Sequence, residues 1–156
     1  MNRTAFVGSI AALSLAGVLP VRADRPVRAD TLDMTAFHCG SSHDCCSHWC
    51  DKARLDGFRV AMYYAPDDVR AARFQIPRSL LSCHTAVVGG YIFEGHIPFD
   101  VVDRILAERP SIRGVAIPGF PPPLGLPGME GRWPEPIDVV ILDDPKKVYV
   151  TLPATG

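Results

Sequence analysis

Four of the chain's five cysteines and three of its five histidines fall within thirteen residues, the run from His38 and Cys39 through His43, Cys45, Cys46 and His48 to Cys50. Any fold available to this chain must pair, bury or use that much sulfur and imidazole at one place. Soft thiolates select Cu(I), zinc or iron–sulfur clusters and imidazole suits copper and zinc, so the mixture specifies a late transition metal and excludes magnesium and calcium. Adjacent Cys45 and Cys46 are poorly placed to bond each other, whereas each can bind a different ion or bridge ions. Asp44 is placed to cap a helix that starts at Cys45, and there the free backbone N–H groups and the helix dipole favour the thiolate, which is the ligand form. Other uses of the sulfur stay open. A disulfide from Cys39 to Cys50 or Cys46, with the remaining thiols buried, is one, and an odd number of cysteines leaves at least one unpaired. A zinc ribbon or a thioredoxin-type exchange pair fits less well, because both need a Cys-x-x-Cys spacing and the spacing here is Cys39-x5-Cys45-Cys46-x3-Cys50.

Composition sets the size of the answer. The 156 residues, 47% hydrophobic and 21% charged, fit a single soluble globular domain. Sixteen basic against 17 acidic side chains leave a formal charge of −1, so no global field draws nucleic acid or an anionic membrane. The N-terminus reads as an export signal. Arg3 precedes an apolar run from Ala5 to Leu19, and Val21-Arg22-Ala23 supplies a cleavage pattern, with a second at Val27-Arg28-Ala29. A membrane span needs about 20 apolar residues, so the run suits a signal better than an anchor. The expected organisation is a signal peptide over residues 1–23, cut there or after 29, and a domain over 31–152 that has no membrane contact once released into an oxidising space.

Periodicity gives the order of elements. Leu32 to Cys39 is short and apolar enough for a strand, and Cys46, Trp49 and Ala53 recur at helical spacing over Cys45–Asp56 before Gly57. Phe58, Val60, Met62 and Tyr64 alternate as in a half-buried strand, Asp67–Phe74 is a short helix, and Leu80–Val88 reads as a strand turning at Gly89-Gly90 into Tyr91–His96. Pro98 opens a helix with Phe99, Val102, Ile105 and Leu106 on one face. Gly114 to Pro136 holds seven prolines and five glycines in 23 residues, which predicts a long ordered loop and a wall for a site. Ile137–Leu142 and Val148–Leu152 close the chain as a hairpin. Strand, helix, strand, then hairpin and helix, is the order of a thioredoxin-like α/β sandwich in one domain.

Outside the dense run, Ser82-Cys83-His84-Thr85 carries the fifth sulfur and a fourth imidazole, and Glu94-Gly95-His96-Ile97-Pro98 carries the fifth imidazole. A lone strand histidine is more often a hydrogen-bonded core residue than a ligand. Met129 in Pro-Gly-Met-Glu-Gly is ordinarily a packing residue, although its thioether is a good soft ligand for Cu(I). Trp49 is core or a cover that keeps water from a metal. Glu94 is either an acceptor that orients a histidine or a solvated charge. No hydrolase motif and no phosphate loop is present.

Taken in order, Cys45-Cys46-x-x-Trp49, Gly57-Phe58-x-Val60, Ser82-Cys83-His84-Thr85-Ala86-Val87-Val88, Glu94-Gly95-His96-Ile97-Pro98 and Pro127-Gly128-Met129-Glu130-Gly131 resemble the bacterial domain-of-unknown-function family four-one-one, which includes the periplasmic copper-resistance CopG proteins. The resemblance runs over about residues 33 to 150. It implies a thioredoxin-like fold and copper binding by Cys45, Cys46 and Cys83. Relatives carry Cys-x-Cys-Cys at the helix start, where this chain has His43; the imidazole removes one negative charge and one bridging atom, and Cys39 is the nearest sulfur to replace it. At Pro118-Gly119-Phe120, where relatives often have Met, no thioether remains. The expectation is an exported, periplasmic protein that sequesters or handles Cu(I), with zinc as the other candidate metal. First ligands would be His43, Cys45, Cys46 and Cys83; Met129, Cys39, His84 and His96 would ligate further or support them. Its partners would be metal ions and other periplasmic copper-handling proteins, and its role binding more than catalysis. The alternative is a thiol or copper oxidoreductase on the same fold.

Overall fold

The computed structural model describes residues 32–40, 44–119 and 133–155. The expected export signal, His43 and Met129 lie outside the described residues. Seven strands, β1 (Asp33–His38), β2 (Arg59–Tyr64), β3 (His84–Val88), β4 (Tyr91–Glu94), β5 (Gly114–Ala116), β6 (Ile137–Ile141) and β7 (Asp144–Leu152), form one mixed sheet. Their order across the sheet is β2-β1-β3-β4-β5-β6-β7. Helix α1 (Asp44–Leu55) carries the chain between the parallel pair β1 and β2, α2 (Asp67–Phe74) follows β2, and α3 (Phe99–Glu108) links the parallel pair β4 and β5. Among the described residues no helix is long and apolar enough to cross a membrane.

Strand alternation sorts the side chains into two layers. Met34, Ala36, Ala86, Val88 and Phe93 share one face and pack with Trp49 and Ala53 of α1 and Phe99, Val102 and Ile105 of α3. Ile92, Ala116 and Val140 face the other way, against Ile76, Leu80 and Leu142. Burying each large apolar side chain of this kind contributes about 1.5–3 kcal/mol. The antiparallel register of β1 and β3, which sets His38 opposite His84 and Ala36 opposite Ala86, therefore puts His84 on the same face as α1.

Three boundaries depart from the sequence reading. Leu80–Cys83 is not strand: Arg78–Leu80 is a 3-10 turn, and β3 starts only at His84. The backbone of Ser82 is bound by side chains, its N–H donating to Glu94 and its carbonyl accepting from Arg70, so it enters no ladder. The Gly- and Pro-rich stretch, expected to be irregular throughout, opens with strand β5. Gly114 lies opposite Ile92, where a Cβ would come 2.0 Å from the Ile92 carbonyl oxygen, so only glycine admits this pairing. The closing hairpin turns at residues 142–143, and β7 already begins at Asp144.

Gly114→Ala is expected to lower stability by about 1–3 kcal/mol or more, because the new methyl meets backbone and cannot be relieved by a rotamer change. Thermal unfolding checks this; a melting temperature equal to that of the wild type would contradict the packing at β4 and β5.

Candidate metal centre

Cys45 and Cys46 sit at the start of α1, with their sulfurs 4.0 Å apart. Cys83 immediately precedes β3, and the Sγ of Cys46 lies 3.5 Å from its carbonyl oxygen. The two stretches therefore meet, although 37 residues separate them. Two trios of ligand atoms result, Cys45 with Cys83 and His96, and Cys46 with Cys83 and His84, each with its atoms within 4.8 Å of one another. Cys83 belongs to both. All of these residues are buried except Cys45, which is half-buried and forms the solvent side.

Aromatic packing holds the imidazoles in place. The Trp49 ring lies 4.6 Å from His84 and 4.7 Å from Phe99, and His84 meets His96 edge to face at 5.1 Å. Trp49 Nε1 donates to the Ile97 carbonyl at 3.0 Å, tying α1 to the loop that carries His96. Gly95, at φ +82°, gives that loop its turn, and a Cβ there would come 2.9 Å from the Ile117 carbonyl. Trp49 is thus a core residue, packed on the His84 ring.

Charge is unevenly shared among the sulfurs. The Cys83 thiol and the His84 ring beside it pull Cys46 down to about 4 in spite of its burial, which favours the thiolate. Cys83, beside Cys46 and deeply buried, is pushed far up. Cys45 is raised by burial and by its charged neighbour. Burial, with the charge of His84, lowers His96 to about 4, which keeps it neutral and able to ligate. His84 Nε2 and His96 Nδ1 are buried with no hydrogen-bond partner, whereas His84 Nδ1 lies 3.2 Å from the Cys83 sulfur. Unpartnered buried ring nitrogens are costly. A soft ion among three sulfurs would supply the missing contacts, and the donor set fits one.

Among the described residues, two further cysteines fall apart from this cluster. Cys39 is half-buried at the end of β1 and is in neither trio. Cys50 is 1% exposed in the core, with its thiol pushed up to about 12 by burial. No disulfide joins any of the five cysteines. Glu94 is 0% exposed and therefore not solvated; its hydrogen bonds go to Arg70, Ser82 and Thr85 and not to a histidine ring. Sequence reasoning missed Arg70, whose helical position among acidic and basic neighbours gave no sign that it is wholly buried.

Comparison with known proteins agrees with this geometry. Residues 80–129 match the family model "Protein of unknown function, DUF411". No curated protein matches the chain. A solved structure described as "Copper resistance protein copG- Form 1" is 30% identical, with 80% of this chain and 100% of that one covered and a TM-score of 0.65. "Copper resistance protein copG- Form 2" is 32% identical over 72% of this chain and 89% of that one, with a TM-score of 0.60. The chain belongs to this DUF411, CopG-like copper-resistance family.

Acid titration of the reduced, metal-free protein should show one thiolate absorption step with its midpoint near about 4, lost in Cys46→Ser. The sign follows from the lowered Cys46 value: the thiolate is present above that pH and protonates below it. A band already gone at pH about 7 would contradict the assignment.

Proposed function

We propose that this member of the family is an exported, periplasmic protein that binds Cu(I) and sequesters or hands it on in copper homeostasis or resistance. The observation that carries the reading is the convergence of Cys45, Cys46 and Cys83 with His84 and His96 in one corner between α1 and β3. Three sulfurs with two imidazoles are a donor set for a soft monovalent ion, and zinc is the other metal they suit. His43 completes the proposed first ligands and Met129 is proposed as a further one, while Cys39, outside both trios, is left a supporting role. The names of the two solved relatives support copper as the cargo. In the same reading the signal covers residues 1–23, with a cut there or after 29, and the domain runs over 31–152. The β2-β1-β3-β4 order, with α1 crossing between parallel strands and α3 after β4, supports a thioredoxin-like core extended by β5 to β7.

The protonation states give the order of events. Cys46 offers a ready thiolate, and His96 a neutral ring, while Cys45 and Cys83 must each release a proton to solvent before they bind as thiolates. Acid therefore competes with the ion at two sulfurs and spares the third. Trp49 and the strands around Cys83 keep water from the bound sulfurs.

A second reading shares the same atoms. An acidic Cys46 beside a protonated Cys83 is the kind of pair that thiol–disulfide exchange uses. Thiol counting before and after exposure to a disulfide oxidant separates the two: reversible loss of two thiols with turnover supports exchange, and unchanged thiols in a protein that retains copper support binding alone.

Protein without the signal, purified without oxygen and incubated with Cu(I), should retain copper by elemental analysis, and Cys45→Ser/Cys46→Ser should lose at least about tenfold in affinity. No copper in the wild type, or unchanged affinity in the double variant, would overturn the proposal. Affinity should also fall as pH drops from 8 to 6, by about tenfold per pH unit for each proton displaced, hence about a hundredfold per unit for two. Competition with a Cu(I) chelator at fixed pH values reads this slope, and a flat profile would contradict the protonation scheme.

A further inference from the structure

On the face of the sheet away from the thiolates, Arg70 and Glu94 form an ion pair at 3.1 Å with both side chains 0% exposed. A buried pair is weak support for stability, since desolvation offsets its attraction and apolar replacements are often neutral or better. The partners it engages point to another use. Glu94 Oε1 accepts the Ser82 N–H at 2.6 Å, and Arg70 Nη2 donates to the Ser82 carbonyl at 2.7 Å, so one pair grips both backbone groups of the residue before Cys83. Arg70 Nη1 donates to Thr85 Oγ1 at 3.0 Å, and that hydroxyl donates to Glu94 Oε2 at 2.5 Å, which fixes the residue after His84. Ser82 Oγ also donates to the Gly119 carbonyl. Asp67, on the same helix as Arg70, anchors the guanidinium from its outer side at 2.7 Å.

We propose that Arg70, Glu94 and Thr85 are positioning residues for the metal centre: gripping Ser82 and Thr85 from one face of the sheet, they hold Cys83 and His84 against α1 on the other. Alternation along β3 converts the grip into direction, because fixing Thr85 toward Arg70 turns His84 toward Trp49. This rests on the metal-binding reading of Cys83 and His84, but the position of His84 can be read without metal.

The test replaces the pair with apolar residues of similar length, Arg70→Met/Glu94→Met, in the full mature chain. Two quantities are measured. Cu(I) affinity is taken by chelator competition, and the His84 ring-proton shift, which the Trp49 ring current sets, is taken by NMR in the metal-free protein at fixed pH. The expected result is a folded protein with a melting temperature near that of the wild type, affinity reduced about tenfold or more as for other groups that orient ligands, and His84 signals moved toward those of free histidine. A folded variant with affinity and His84 shift both unchanged overturns the proposal. Should the wild type take up no Cu(I), the metal-binding reading fails while the His84 shift still decides the positioning role. Should the double variant not fold, Thr85→Val, which removes the hydroxyl between the pair, carries the same measurements, and an unmoved His84 signal in it overturns the proposal.

Discussion

The approach of Cys46 to Cys83 is the point on which the site depends: the Cys46 sulfur lies 3.5 Å from the Cys83 carbonyl, and the two sulfurs share one trio of ligand atoms. It brings together the start of α1 and the approach to β3, and it shifts the two thiols in opposite directions, Cys46 down and Cys83 up. Without it, Cys46 would be a buried thiol like Cys50, whose surroundings raise it instead. Everything near the pair serves the same placement. Trp49 joins α1 to the His96 loop, the β1 and β3 register turns His84 inward, and the Arg70–Glu94 pair holds the backbone beside Cys83.

How legible this was in the sequence varied with how local each cause is. Helix α3 follows from its own stripe, Phe99, Val102 and Ile105, and from Pro98 ahead of it, and the structure begins it at Phe99. α2 likewise matches its reading over Asp67–Phe74. Leu80–Cys83 looked like the start of a strand, yet Leu80 and Leu81 bond back to Pro77 and Arg78, and the backbone of Ser82 is held by side chains 12 residues away on either side in the chain, which no period reveals. β5 was hidden among prolines and glycines because Gly114 is there for close approach to Ile92 and not for a turn.

The site shows the same division. Dense cysteine and histidine, with their chemistry, identified α1 as the place to look, and the Ser-Cys-His-Thr and Glu-Gly-His segments supplied the distant partners that the structure brings to it. The roles of the outlying residues were less visible. Glu94 sits two residues before His96, which suggested that it orients a histidine, but Glu94 ends β4 on the face of Ile92, where Arg70 waits, and the turn at Gly95 carries His96 away from it. His84 and His96, each weak alone, gain weight only from their shared corner and their unpartnered nitrogens.

The most direct test of the central claim is X-ray absorption at the copper edge of the Cu(I)-loaded protein, compared with Cys83→Ser. If the sulfurs of α1 and of the β3 approach share one ion, the wild type shows a sulfur-dominated shell with an imidazole contribution, and the variant loses sulfur from that shell. A shell of nitrogen and oxygen alone, or a sulfur shell unchanged by Cys83→Ser, would contradict the account.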